Sequence, residues 1–158
     1  MNSYYPPLGF HFNVQIAGLN GLQDNSFQQV GGLEVEMETE NRKEGGENRF
    51  EHALPTRTRY PLLSLKRGLV VSSELLDWCA ATFAALDNSM MTGDAGTTLI
   101  QPKDVLVSLL NEKHEPLCSW NVFHAWPKSW NLSKLNAEEN TIAIESIELQ
   151  YQYFRIKK

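Results

Sequence analysis

The sequence has little of what chemistry at a protein site usually needs. It holds two cysteines, Cys79 and Cys118, too far apart for a Cys-x-x-Cys pair and too few for a disulfide framework, so both read as buried free thiols. The histidines His11, His52, His114 and His124 stand singly, without the spacings that hold zinc, and no metal centre is expected. Gly45-Gly46 lacks the lysine and the Ser or Thr of a phosphate loop, and no serine has nucleophile-elbow spacing. The Asn131-Leu132-Ser133 triplet fits a glycosylation acceptor but follows no secretory leader and carries no weight. No catalytic residue and no cofactor are expected.

Other absences bound where the chain works and with what. No run approaches the roughly 18 apolar residues of a membrane helix, and the opening residues lack the basic start and apolar core of a leader. Direct membrane insertion is not expected, and synthesis and folding are expected in the cytosol. An excess of positive charge is also missing. Lys and Arg number 14 against 19 Asp and Glu, for a net charge of −5, which argues against tight nucleic-acid binding, because that rests on clustered cations neutralising phosphates.

What is there is ordinary for a globular protein: 42% hydrophobic and 21% charged residues in 158, enough for one domain over 1–158 with a sizeable core. The patterning favours strands. Phe10, Phe12, Val14 and Ile16 alternate with His11, Asn13 and Gln15, the period of a strand with one buried face. After turn residues at 18–25 and Gly31-Gly32, a second alternation sets Leu33, Val35, Met37 and Thr39 against Glu34, Glu36, Glu38 and Glu40. An extended strand puts those four carboxylates on one face. Residues 41–58 are polar and glycine-rich, too long for a hairpin turn, and read as an extended arm or loop suited to contacts with another subunit.

Residues 60–71 form a largely apolar strand interrupted by Lys66-Arg67-Gly68, followed by a helix capped by Ser72 or Ser73. Glu74 and Asp77 suit its first turn, and Leu75, Leu76, Cys79, Phe83 and Leu86 its apolar stripe. Residues 88–101, with Met90-Met91, read as an outer loop ending at Pro102. Strands over 104–110 and 117–125 frame a hairpin that Trp126-Pro127 breaks. In 141–154, Ile142 and Ile144 fall on one parity but Ile147, Leu149, Tyr151 and Tyr153 on the other, which calls for a β-bulge near Glu145-Ser146. About six strands and one helix make the chain mainly β: a β-sandwich or partial barrel with one packed α-helix.

Clusters that could carry a ligand have plainer readings. Arg57, Arg59, Lys66 and Arg67 around Tyr60 form a candidate nucleic-acid patch, yet the acidic row upstream offers them partners in a neighbouring copy. Trp120, Trp126 and Trp130 could form a ligand platform, but aromatics on strands more often belong to a core or interface. A uniform row of solvated glutamates lacks the unlike environments that acid–base catalysis needs.

Several segments in one linear order resemble the inner-tube (tail-tube) proteins of contractile phage tails and bacterial contractile injection systems. They are Tyr5-Pro6-Pro7-Leu8-Gly9-Phe10, Phe27-Gln28-Gln29-Val30-Gly31-Gly32-Leu33, the stretch 42–49, Leu54-Pro55 with Tyr60-Pro61, Leu65-Lys66-Arg67-Gly68-Leu69 and Glu74-Leu75-Leu76-Asp77-Trp78. Trp120-Asn121, Ala125-Trp126-Pro127-Lys128, Leu135-Asn136-Ala137 and Ile144-Glu145-Ser146-Ile147-Glu148-Leu149 complete them. The loop at 90–101 and the aromatic ending Tyr151-Gln152-Tyr153-Phe154 depart from the pattern and favour a specialised tube initiator.

The resemblance implies a non-enzymatic virion or injection-particle component whose strands join those of its neighbours into a ring-shaped barrel. Six subunits would ring a channel for DNA or cargo, either as a repeating tube layer or as the initiator ring between spike hub and tube. Its partners would be further copies in a homo-hexamer, adjacent rings, sheath, spike hub and baseplate proteins, with assembly in the bacterial cytoplasm. Hydrophobic residues of one parity would then lie under the helix, while Glu34, Glu36, Glu38, Gln150 and Gln152 would face the lumen and repel anionic cargo. The arm at 41–58 would make inter-subunit contacts, with Phe50, Leu54 and Pro55 as apolar anchors and Arg49 and Arg57 as charged partners. The alternative is a monomeric binding module for carbohydrate or nucleic acid using Arg57, Trp126 and Trp130. An enzyme would instead need a cleft with perturbed titrating groups, and the sequence offers none.

Overall fold

The computed structural model describes residues 9, 11–20, 26–46, 49–86, 100–136, 138 and 141–158. The expectations for the opening segment before Phe12 and for most of the loop at 88–101 lie outside these residues, apart from Gly9, His11, Ile100 and Gln101. The described elements are β1 (Phe12–Ile16), β2 (Gln29–Gly31), β3 (Glu36–Arg42), β4 (His52–Arg59), β5 (Leu63–Gly68), α1 (Glu74–Leu86), β6 (Lys103–Leu110), β7 (Pro116–Leu132), β8 (Ile144–Gln150) and β9 (Tyr153–Lys157). The protein is mainly β with one helix, as the alternations require.

The 17-residue strand β7 organises the body. Its first half pairs β6 on one side and β9 on the other, and its second half pairs β8. It therefore belongs to two sheets, ordered β1-β6-β7-β9 and β7-β8-β5-β2, with every pairing antiparallel. A strand shared between two sheets needs a corner. It comes at His124, whose φ is +52° and where the pairing with β6 shifts register. The freed backbone N–H of His124 donates to the Asp104 carboxylate at 3.0 Å. Opposite it the chain bends between β8 and β9, where the Gln152 N–H donates to the Phe123 carbonyl at 3.1 Å. Trp126-Pro127 thus does not break the pairing as its residue types suggest; Pro127 sits buried within β7, and a second register shift follows it.

The core gathers Val14, Ile16, Leu63, Leu65, Val105, Val107, Val122, Ile147 and Leu149 from the two sheets, closed by Leu75, Trp78 and Cys79 of α1. Ser73 caps the helix by accepting the Leu76 N–H at 3.3 Å, with Glu74 and Asp77 in the first turn. The inward stripe is Leu75, Trp78, Cys79 and Thr82, whereas Phe83 is exposed.

Two corrections concern the strands around Arg67. The hydrophobic alternation of β8 changes phase without any bulge in its pairing with β5. Its inward positions are Glu145, Ile147 and Leu149, so the missing apolar residue is a buried glutamate. Its partner is Arg67, directly opposite on β5 and equally buried. Arg67 Nε donates to Glu145, Arg67 Nη2 reaches Ser73 Oγ, and Trp130 Nε1 donates to the other Glu145 oxygen at 3.0 Å. Arg67 therefore leaves the expected basic surface cluster: a charged pair can occupy a core when it is mutually satisfied.

Candidate assembly interface

The arm expected over 41–58 is built as a β-ribbon. Strands β3 and β4 pair only with each other, and all of β4 is exposed. The ribbon continues the β2–β5 hairpin, from which it is separated by a break at Gly32. There φ is +84°, and a Cβ would lie 1.9 Å from the Leu62 carbonyl oxygen, so glycine permits a close crossing that no side chain could. Tyr151 Oη donates to the Gly32 carbonyl at 3.1 Å, and Tyr60 packs against Tyr151 and Phe154 at 5.9 and 5.6 Å. These aromatics root the ribbon in the body.

Residues of β3 therefore do not pack beneath the helix, contrary to the parity reading: Met37 is 63% exposed and Val35 55%. The acidic row also changes character. Glu34 precedes the strand, Glu36 lies opposite Arg59, and an irregularity between Met37 and Thr39 interrupts the alternation. Glu38 pairs with Arg57, whose guanidinium holds the Glu38 carboxyl below its usual range. The four glutamates are thus partly matched within the ribbon and do not form one bare carboxylate face.

Of the candidate contact residues, Arg49, Phe50, Leu54, Pro55 and Arg57 are all exposed on the ribbon. Alternation puts Phe50, His52 and Leu54 on one face, with Glu40 opposite Leu54 and Arg42 opposite His52. Phe50 stacks edge-on against His52, and His52 lies 3.4 Å from Glu44. Isolated two-stranded ribbons are marginal in water, so an exposed one carrying this much apolar surface calls for a protein neighbour.

Gln150 and Gln152 are not consecutive members of one strand. Gln150 shares the outward face of β8 with Ser146 and Glu148, whereas Gln152 lies at the bend after Tyr151. Both border a groove of about 440 Å³ with Arg59, Tyr60 and Lys128. The tryptophans form no common platform. Trp130 points inward to Glu145, and Trp126 lies half-buried between the inward residues Ala125 and Pro127. Arg57 is on the ribbon, paired to Glu38.

The outer edges β1 and β9 of one sheet, and β2 and the second half of β7 in the other, have no further strand beside them among the described residues. Each sheet has an even number of strands in strict antiparallel order, so its two edges run in opposite directions. A copy added head to tail would pair antiparallel at the junction. Sequence reading found the ribbon residues but missed these edges, because edge status depends on strand order and not on any residue type.

Among the described residues no group of three or more His, Cys, Asp or Glu could hold a metal, and no helix is long and apolar enough to cross a membrane. Burial pushes the Cys79 thiol up to about 12, with Glu145 adding to the effect. Tyr151 is likewise pushed up to about 12, first by burial. Both groups are buried and suit packing better than proton transfer.

The family model of the T4-like virus tail tube protein gp19 matches residues 8–155. Among solved structures, a chain of the six-fold symmetrised anti-feeding prophage baseplate is 28% identical with a TM-score of 0.77, the match covering 98% of this chain and 97% of that one. A chain of the extended sheath–tube complex of PVC, an extracellular contractile injection system, is 25% identical with a TM-score of 0.74, over 98% and 93%. Hcp1 from Flavobacterium johnsoniae shares the fold at 14% identity and a TM-score of 0.52, over 93% and 94%. No curated protein matches the chain.

Proposed function

The chain belongs to the T4-like virus tail tube protein family and is a structural component of a contractile tail or injection system, and on that premise we propose that it forms hexameric rings around a channel. The observation that carries the reading is the pair of even-stranded sheets with open, oppositely directed edges. Head-to-tail addition then closes every edge when the rotation between copies closes a ring. The six-fold symmetrised baseplate that resembles the chain supports six as the number.

In such a ring the ribbon reaches out of its own subunit to a neighbour, with Phe50, Leu54 and Pro55 as anchors and Arg49 beside them. Arg57 serves chiefly to hold Glu38. The channel wall takes the polar outward residues of β8 leading to Gln150 and Gln152, while Glu34, Glu36 and Glu38 stand where the ribbon leaves the body, at the mouth of the lumen. Partners are further copies, adjacent rings, and sheath, spike-hub and baseplate proteins. The role is structural and not enzymatic, and assembly takes place in the bacterial cytoplasm before the particle acts.

A second reading makes the ring a single initiator layer between spike hub and tube, favoured by the likeness to a baseplate chain. Electron microscopy of the purified protein at rising concentration, with its mass in solution, tests both. Open-ended tubes establish the repeating layer and isolated rings the initiator. A persistent monomer, even with hub and tube proteins added, overturns the ring in either form and leaves the monomeric binding module.

A further inference from the structure

Three of the most exposed large apolar side chains lie together at one end of the body. Val71 is 83% exposed, Ile142 76% and Leu135 70%. They sit where β5, β7 and β8 run out. The Leu69 N–H donates to the Ala143 carbonyl at 2.9 Å, and the Ser133 N–H to the Ile144 carbonyl at 2.8 Å. Gly68 pairs with Ile144, and the space where its Cβ would stand lies 3.9 Å from Ile142 Cγ2. Leu135 and Lys134 line one shallow groove with Thr141 and Ala143. Scattered exposed apolar residues need no explanation, but three grouped at one pole do.

The ribbon leaves the body at the opposite pole. It enters β5 at Leu63, paired with Leu149, while the patch follows Gly68, paired with Ile144. The two features are thus separated by the length of β5, roughly 17 Å at strand rise. A ribbon with an apolar face at one pole and an apolar seat at the other is the arrangement of a heterologous, head-to-tail contact, which repeats along an axis without closing. Charge agrees with the pairing: Lys134 borders the patch, and Glu40 and Glu44 share the ribbon face with Phe50 and Leu54.

We propose that the patch of Val71, Leu135 and Ile142 is the seat for the Phe50–Leu54 face of the ribbon of a second copy, in the adjacent ring. The proposal rests on the ring reading above. It assigns a receiving surface to the ribbon and favours the repeating tube layer, since an initiator would present that seat to a different protein.

The test uses the full chain with Cys118 replaced by serine, leaving only the buried Cys79. Leu54→Cys protein is mixed with Ile142→Cys protein carrying a different tag and mildly oxidised, with Leu54→Cys mixed with Asn121→Cys as control. Docked cysteines see a far higher effective concentration than free ones, so the first mixture should yield roughly tenfold or more heterodimer than the control. Equal yields, or Leu54→Cys coupling only to itself, overturn the seat. Independently, Ile142→Asp, at an exposed position that leaves the core intact, should give rings that no longer stack, seen by electron microscopy. Tubes of undiminished length from Ile142→Asp overturn the seat while leaving the ring reading standing. Monomers alone from the unaltered chain overturn the ring reading, and the seat with it.

Discussion

Arg67 and Glu145 face each other across β5 and β8 with both side chains out of solvent, and Ser73 and Trp130 complete their hydrogen bonding. Breaking such a pair from one side strands a buried charge, at a cost of about 3–5 kcal/mol, whereas replacing both members with apolar residues is close to neutral. Glu145→Gln is therefore expected to lower stability by about 3 kcal/mol, with Arg67→Met/Glu145→Leu recovering most of it, as read by urea unfolding. A Glu145→Gln midpoint equal to the parent's would show that the pair does not hold the sheet. Titration gives a second check. Cys79 and Tyr151 each rise to about 12 on folding, from 9.0 and 10.0. The unfolded chain then loses these protons first, so their contribution is complete below about pH 9 and is lost as pH climbs toward about 12. Cys79→Ala should flatten part of that alkaline fall, and an unchanged profile would remove the thiol from the account.

At the scale of elements, the ribbon and the body obey different physics. The body buries apolar residues between two sheets that share β7, while β3 and β4 have no sheet partner and no core of their own. Removing the ribbon tip, with Gly-Ser joining β3 to β4, should leave the melting temperature nearly unchanged and abolish assembly, measured by thermal unfolding and by mass in solution. Loss of folding would make the ribbon a part of the core instead. Gly32→Ala acts at the junction: a Cβ there meets the Leu62 carbonyl in a backbone conformation side chains disfavour. It should cost about 1–3 kcal/mol, the usual price of local backbone strain. Unfolding at the parent's urea midpoint would mean that the crossing relaxes freely.

For the whole molecule, unfinished edges and two apolar poles make the isolated subunit an incomplete object. Anything that binds only the folded state raises its apparent stability by mass action, so the melting temperature should climb with protein concentration as copies fill one another's edges. A melting temperature independent of concentration over two decades, about the range that separates free from saturated subunits, would mark a self-sufficient monomer. That outcome would fit the binding-module alternative and no ring.

Local order was legible in the residues wherever one periodicity ruled. The alternation about Val14, the capped helix after Ser73 and the hairpin around residues 111–115 all follow from side chains meeting neighbours close in sequence. The resemblance read from ordered motifs gave the family. Tertiary structure alone decided the rest. It turned Arg67 and Glu145 inward, since a charge is admitted to a core only by a partner 78 residues away. It carried β7 through Trp126-Pro127, because the corner was made at His124 with Asp104 to satisfy the freed N–H. It lifted β3 off the body although its hydrophobic period matches that of a core strand, for burial depends on what lies opposite and period alone cannot supply it. The ribbon, the open edges and the opposed poles follow from strand order, a property of contacts distant in sequence, and these are the features through which copies of the chain would meet.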